Sequence, residues 1–409
     1  MGFLSRKPLS VTNTAPNLTD QELVDILRIE TGAGEVVSSE TARKVATAYR
    51  CGNIISDDVA KMPLQMIRRA GGRIEQVTPD PFTVNVPYLL EISPNMWGWT
   101  PFIFKKAVVQ WLLYWGNALI WRPLVWPPQL LILPADRTEA MLDQAGNLWY
   151  RHRFSNGEQK DIPSVEVLHL MINPDKTGFW GRSILQYAKD TIGRQLAAMK
   201  TQGKFFTQGL NPAGYITYAG QLDREGREKV REAYGEAIGG TENAYRLAVF
   251  DSKVTKFEPI TMKPNDAQFL ESIQANDHDI ATFFGLPEYK LNMGKQAYSS
   301  NEQNNIDYLT TTLDPILVQW EQGARIKWVP VADQADIVFR FIRESLLRTD
   351  AKTRAELNEV KIRSGQMTPN EAREKDDVGP YPEGDRFYMT SNYAAISADG
   401  SGGMNGQEQ

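Results

Sequence analysis

Three histidines, His152, His169 and His278, are the only imidazoles in the 409-residue chain. Far apart in sequence, they form neither an HExxH helix nor a close pair for a metal. His169 falls inside the apolar run Val167-Leu-His-Leu-Met, where a hydrogen-bonded strand residue is a plainer reading than a general base. Two Gly-Lys pairs, Gly203-Lys204 and Gly294-Lys295, invite comparison with a phosphate loop. That loop needs a glycine five residues ahead, and Ala198 and Tyr289 stand there instead. Asp266, Glu271, Asp277 and Asp279 share one expected helix, where acids ordinarily make a solvated face; their one chemical reading is a metal-dependent nuclease. Cys51 is the sole cysteine, so an intrachain disulfide and a thiolate cage are excluded, in keeping with a reducing cytoplasm. No catalytic, cofactor-binding or metal-ligating residue is expected.

Two patterns are more suggestive, the first read either as an ordinary solvated face, the plainer account of that helix by itself, or as a helix standing beside a polyanion. On the helix expected from Ser183, Lys200 and Lys204 fall about 20° and 60° around from Lys189 at ~100° per residue. Leu185, Ala188, Ile192, Leu196 and Met199 make the adjoining apolar stripe, so one face packs and its neighbour is basic. The segment from Pro287 to Asn301 separates two expected helices and mixes Gly, Asn, Ser and Lys, a composition that suits a mobile functional loop and a plain connector equally well.

The elements behind these residues follow from periodicity. With 42% apolar and 10% aromatic residues the chain is a folded one, and its formal charge of −5 excludes a surface that grips nucleic acid tightly throughout. Its most apolar stretch, Ala107 to Trp121, contains Gln110 and Asn117 and is flanked by Lys105, Lys106 and Arg122, so no membrane span or membrane partner is expected. Ser38 or Ser39 is placed to cap a helix running to Met62, which Pro63 ends. Strands are expected over Leu64 to Arg68, Ala118 to Trp121, Leu130 to Leu133, Leu148 to Phe154 and Val167 to Ile172, and a helix over Thr100 to Tyr114. Beyond Ser183 long helices take over: Ser183 to Gln208, Asp223 to Ile238, Asn265 to Phe284 and Ser300 to Gln322. Strand-like runs flank the second of these, so a small α/β module sits between two long helices. A charged helical stretch, Asp350 to Asp376, follows.

From about Arg43 to Asp385 the chain resembles the portal proteins of long-tailed bacteriophages. The marks are Cys51-Gly-Asn-Ile-Ile-Ser-Asp-Asp-Val-Ala-Lys-Met-Pro-Leu, Leu112-Leu-Tyr-Trp-Gly-Asn-Ala, Leu133-Pro-Ala-Asp-Arg, Gly181-Arg-Ser-Ile-Leu, Ile280-Ala-Thr-Phe-Phe-Gly-Leu-Pro, Tyr298-Ser-Ser-Asn-Glu-Gln and Gly365-Gln-Met-Thr-Pro-Asn-Glu-Ala-Arg, in that order. Leu291-Asn-Met-Gly-Lys departs from the Leu-Gly usual in the family, and Trp121-Arg-Pro-Leu-Val-Trp126 is unusual in it.

The resemblance implies an α+β portal fold that forms rings, normally of twelve subunits. Its parts would be a flexible N-terminal arm (1–30), a mixed α/β wing (31–182), a stem hairpin of two long helices (183–208 and 264–286) and a small α/β clip between them (209–263). A tunnel loop with a wing helix and strand (287–340), a helical crown (341–393) and a disordered tail (394–409) would complete it. It implies Lys290, Leu291, Asn292, Met293, Gly294, Lys295 and Gln296 in the tunnel loop, Lys189, Lys200 and Lys204 lining the channel, and Arg224, Arg227, Glu228 and Arg231 meeting clip partners. The implied function is a channel at one capsid vertex for packaging and ejecting double-stranded DNA, in the virion and assembled in the host cytoplasm. The implied partners are copies of itself, the terminase large subunit, a head-tail adaptor and the major capsid or scaffold protein, with no cofactor and no enzymatic activity. The rival readings are a non-conducting head-tail adaptor or capsid vertex protein, and the metal-dependent phage nuclease.

Overall fold

The computed structural model describes residues 29–388 except 33, 71–72, 79–84, 125, 209–214, 219–223, 226–227, 229–253, 259–265, 294–300, 347–350 and 377. The arm up to residue 28, the helix expected over Asp223 to Ile238 apart from residues 224, 225 and 228, the strand expected over Arg246 to Phe250 and the tail from 394 lie outside the described residues. The chain divides into two compact units, Met1–Ile342 and Arg343–Gln409.

The first unit opens with a two-stranded hairpin, β1 (Ile29–Glu30) and β2 (Val36–Val37). Ser38 then caps α1 (Ser39–Ala42): its Oγ accepts from Thr41 N at 3.1 Å while Ser38 N donates to Thr41 Oγ1 at 2.8 Å. The helix expected to continue from here is interrupted at Val45, whose backbone is extended, and resumes as α2 (Ala46–Lys61). In the interruption the Arg43 guanidinium lies 4.4 Å from the centre of the Tyr114 ring. Ala48, Cys51, Ile55 and Val59 recur at three-or-four spacing along α2 and are all fully buried. Burial pushes the Cys51 thiol up to about 12, so it packs as a small apolar group.

Pro63 ends α2 and starts β3 (Leu64–Ala70), which pairs with β4 (Arg73–Gln76) and with the distant β13 (Ile337–Phe341) in one antiparallel sheet. A short helix, α3 (Asn85–Glu91), precedes α4 (Pro101–Trp115). The start of α4 is the expected Thr-Pro one: Thr100 Oγ1 accepts from Ile103 N at 3.3 Å, with Pro101 in the first turn. Its end is Gly116 at φ 79°, a left-handed cap. Helices α2 and α4 lie tightly together because Gly52 has no side chain; a Cβ there would stand 2.1 Å from Tyr114 Oη. Lys105, buried on α4, donates to the Met62 carbonyl at the end of α2, and burial pulls its ammonium down to about 8.

Beyond Gly116, β5 (Asn117–Trp121) is buried along its whole length between β10 (Val167–Met171) and β6 (Leu131–Leu133). A second antiparallel sheet, β7 (Thr138–Leu142), β8 (Leu148–Arg153) and β9 (Gln159–Pro163), closes over it. Leu119, Trp121, Leu133, Tyr150, Ile162 and Val167 form their shared core. The Trp pair of the sequence is thus split: Trp121 is core, its Nε1 donating to Glu166 Oε2 at 2.9 Å, and Trp126 is exposed.

Two long helices follow, α5 (Ile184–Gln208) and α6 (Asp266–Phe283), packed antiparallel with Ile184 and Tyr187 beside Phe283 and Arg194 reaching Asp279 at 4.0 Å. At about 1.5 Å per residue α5 extends roughly 37 Å. Between them lie β11 (Tyr215–Tyr218) and β12 (Val254–Glu258), an antiparallel pair with a register shift at Thr217/Tyr218. The helix expected from Ser300 consists of α7 (Asn301–Tyr308) and α8 (Asp314–Trp328), joined by a π turn over Leu309–Leu313. Pro315 explains the turn: it removes one N–H and crowds the carbonyl four residues back. The hydroxyls of Thr310 and Thr311 donate to the Ile306 and Asp307 carbonyls at 3.0 and 2.7 Å within it.

In the second unit the single charged stretch expected over Asp350 to Asp376 is two helices, α9 (Ala351–Arg363) and α10 (Pro369–Lys375). Gly365 at φ 68° stops the first, and a capping box between Thr368 and Glu371 starts the second.

Candidate functional site

The loop between α6 and α7 begins in a left-handed glycine, Gly285 at φ 64°, followed by a tight turn over Glu288–Leu291 and a second left-handed residue, Asn292 at φ 58°. This first part is held down on α2 and α7. Lys290 Nζ stands 3.7 Å from Asp58 Oδ2 and 4.5 Å from the centre of the Tyr308 ring, while Arg50 Nη2 donates to the Lys290 carbonyl at 3.4 Å. Tyr289 Oη donates to Asn304 O at 2.8 Å, His278 Nδ1 pairs with Glu288, and Leu291 is buried. Burial first, then the Asp58 carboxylate, holds the Tyr308 phenol far above its ordinary range. Lys290 and Leu291 are therefore anchors, Asn292 N and Met293 N donate back onto the turn at Tyr289 O and Glu288 O at 3.2 and 3.1 Å, and Gly294, Lys295 and Gln296 lie outside the described residues.

The basic face of α5 also has a partner. The β1–β2 hairpin sits on it at Gly193, where a Cβ would stand 2.5 Å from Thr31 Oγ1. Gly32 N donates to Asp190 Oδ1 at 3.3 Å on one side of that contact, and Lys200 Nζ bonds Glu35 Oε1 at 2.9 Å on the other. Lys189 is half-buried, and the Lys204 side chain lies outside the described residues.

Where α4, β5 and the start of α5 converge, a buried asparagine joins them. Asn117 Nδ2 donates to Gly181 O at 2.8 Å and Trp115 O at 3.1 Å, and its Oδ1 accepts from Gly181 N at 2.7 Å. Because Oδ1 only accepts, His169 Nε2, 3.0 Å away, is its donor, which leaves His169 Nδ1 to accept from Tyr150 Oη at 3.1 Å. Burial pulls the imidazole down to about 4, so His169 is a neutral structural residue with both nitrogens engaged. Neighbouring Gly116 and Gly181 are required by space: a Cβ on either would meet backbone within 2.6 Å.

The model of the phage portal protein family matches residues 46–377. The chain belongs to that family. A probable portal protein of Streptomyces phage phiC31 is 28% identical over 372 residues, covering 86% of this chain and 78% of the relative. The portal protein of Enterobacteria phage HK97 is 26% identical over 370 residues, covering 88% and 85%. In the solved neck of a native GTA particle, computed with C12 symmetry, one chain superposes with a TM-score of 0.55 at 19% identity, over 84% of this chain and 92% of that one. The mixed helix-and-sheet architecture is thus the α+β portal fold.

In this portal-family chain the acids of α6 are drawn to different neighbours. Asp277 Oδ1 accepts from Thr47 Oγ1 on α2 at 2.5 Å, whereas Asp279 faces Arg194 on α5. Among the described residues no group of three or more His, Cys, Asp or Glu is placed to hold a metal ion, and no described helix is long and apolar enough to cross a membrane. Arg224 and Glu228 are exposed and helical; Arg227 and Arg231 lie outside the described residues. Sequence reasoning missed Glu35, Asp58 and Asn117 as the partners that fix Lys200, Lys290 and His169. Asn117, in Leu112-Leu-Tyr-Trp-Gly-Asn-Ala, and Asp58, in the run from Cys51 to Leu64, stand in stretches that carry the family resemblance, whereas Glu35 lies outside them.

Proposed function

We propose that this protein is the portal subunit of a tailed phage particle, one protomer of a ring at a single capsid vertex through which double-stranded DNA is packaged and ejected. The observation that carries the reading is the portal fold, shared over most of the chain with a protein solved in a C12-symmetric neck. A closed cyclic assembly of about twelve copies is the corresponding form here. On this reading residues 31–182 are the wing, α5 and α6 are the stem, the segment 209–263 containing β11 and β12 is the clip, 287–340 is the tunnel loop with a further wing helix and strand, and 341–393 is the crown. The clip is the surface for the terminase large subunit and later the head-tail adaptor, and the wing the surface for the capsid or scaffold protein. The protein is structural, with nucleotide hydrolysis left to the terminase.

The charges fit a conduit that does not hold its cargo. A bore that neutralised many phosphates would brake DNA. Here the net charge is −5, and Lys200 and Lys290 already face Glu35 and Asp58. Electron microscopy of the purified protein with mass photometry tests the proposal: a ring of about twelve subunits with a bore wide enough for duplex DNA is expected. A compact particle without a bore would sink it.

A further inference from the structure

The seam of the long helix pair is not wholly apolar. Thr191 and Gln195 on α5 and Asn276 on α6 are all buried, Gln195 to 7% exposure, and Gln195 Oε1 has no donor among the protein groups. An acceptor closed off from solvent in this way weakens a fold unless something compensates.

Two contacts fix how the helices face. Arg194 reaches Asp279, and Ile184 and Tyr187 stand beside Phe283, so in the antiparallel pair position 195 falls level with positions 276 and 277. At ~100° per residue Asn276 lies within about 40° of both Phe283 and Ile280, on the side of α6 that meets α5. Gln195 lies about 40° from Thr191 and about 20° from Ala188, inside the buried stripe of α5. Beside Asn276, Asp277 Oδ1 accepts from the hydroxyl of Thr47 on α2, which is buried too. Polar groups of three helices thus share one level, with Ala188, Ile192, Ile280 and Phe284 buried around them. Thr191 Oγ1 accepts from Arg194 Nη2 at 3.2 Å, which leaves its own proton to give.

A polar layer in an apolar seam lowers stability but permits few registers, because another register sets its amides against side chains that cannot bond them. A slide of one turn, about 5.4 Å, that carried Gln195 to Ile280 would carry Asn276 to Met199 and strand both amides. We infer that Gln195 and Asn276 are the register lock of the long helix pair, closed by a water that donates to Gln195 Oε1 and is held by Thr191 and Asn276. Three polar partners are what a buried water needs. The lock makes α5 and α6 one rigid post. It belongs to a single chain and does not rest on the ring reading.

Gln195→Met and Asn276→Leu test it, because both keep the packed volume while removing the amides. In urea unfolding of monomeric full-length protein, each change alone should raise the unfolding constant at least about fivefold, since it leaves the other amide stranded. Both together should return to within about threefold of the unaltered protein. Effects that simply add overturn the layer, because the two amides then do not meet. Register is read by cross-linking. Cys51 is the only cysteine and is buried, so engineered pairs report alone on oxidation. Arg194→Cys with Asp279→Cys should close an intrachain disulfide. Arg194→Cys with Phe283→Cys, one turn out of register, should close at least about tenfold more slowly, and the gap should shrink to about twofold in the Gln195→Met, Asn276→Leu background. A gap that persists in that background means the apolar residues alone set the register, and overturns the lock. A Phe283→Cys pair that closes as fast as the Asp279→Cys pair with both amides in place overturns it as well.

Discussion

Asn117 shows how one side chain can fasten three elements. Replacing it with Ala leaves Gly181 N, Gly181 O and His169 Nε2 without their partner in a site closed to water. The expected cost is about 2–4 kcal/mol of unfolding free energy, read by urea denaturation of monomeric protein. The same cluster sets an acid limit. His169 titrates near its ordinary 6.5 when unfolded and about 4 when folded, so between those values the unfolded chain binds the extra proton. Stability from this residue should be intact above pH 6.5 and drain away as pH falls toward 4; His169→Gln should flatten that part of a stability-pH curve. Lys105 acts at the other end of the scale. Its folded value of about 8 against an ordinary 10.5 means the folded state carries an unfavourable buried charge below pH 8 and sheds it first as pH rises. Urea unfolding should therefore show stability climbing between about pH 8 and 10.5, a rise that Lys105→Met abolishes.

The packing of α2 on α4 turns on Gly52. A methyl group there collides with the Tyr114 ring, itself held by a bond from its hydroxyl to Ala48 O at 3.1 Å, so Gly52→Ala should cost about 1–3 kcal/mol in denaturant unfolding. Gly203 on α5 is the control: nothing lies within 4 Å of its added Cβ, and Gly203→Ala should stabilise by about 0.5–1 kcal/mol through helix propensity. Elements with a strong period and a local stop signal were legible in the sequence, as α2, α4, α5 and α6 show. The β7–β9 edge strands were not, because Thr138–Leu142 and Gln159–Pro163 each have only one fully buried position and so show no alternating stripe. Helix α3 hid behind Pro87, and the π turn before Pro315 is a local accommodation that periodicity does not register. The candidate loop and the Lys stripe were legible as residues, but not their anchors. Asp58 lies 232 positions before Lys290, Glu35 lies 165 before Lys200, and only the folded chain brings them together.

If the chain conducts DNA as proposed, charge balance over the whole molecule decides how it treats that cargo. A lysine that already faces a carboxylate at 2.9 Å has little attraction left for a passing phosphate, and releasing it from that pair costs what a phosphate contact would return. Removing Lys200 should then change duplex affinity hardly at all, whereas removing its restraint should matter. Glu35→Gln keeps the shape of the hairpin, deletes one negative charge per subunit and frees one ammonium for phosphate. Each freed lysine that neutralises a phosphate steepens the dependence of log affinity on log salt by about 0.9, and in the proposed ring the change is multiplied by however many copies touch the duplex at once. Fluorescence anisotropy with a linear duplex, titrated across salt at fixed protein, should show Lys200→Ala within error of the unaltered protein and Glu35→Gln tighter with a steeper slope. The opposite pattern, weaker binding from Lys200→Ala and no gain from Glu35→Gln, would mean that Lys200 leaves Glu35 when DNA is present. On the proposed reading of the chain as a conduit, its wall would then hold the cargo through this lysine rather than let it slide.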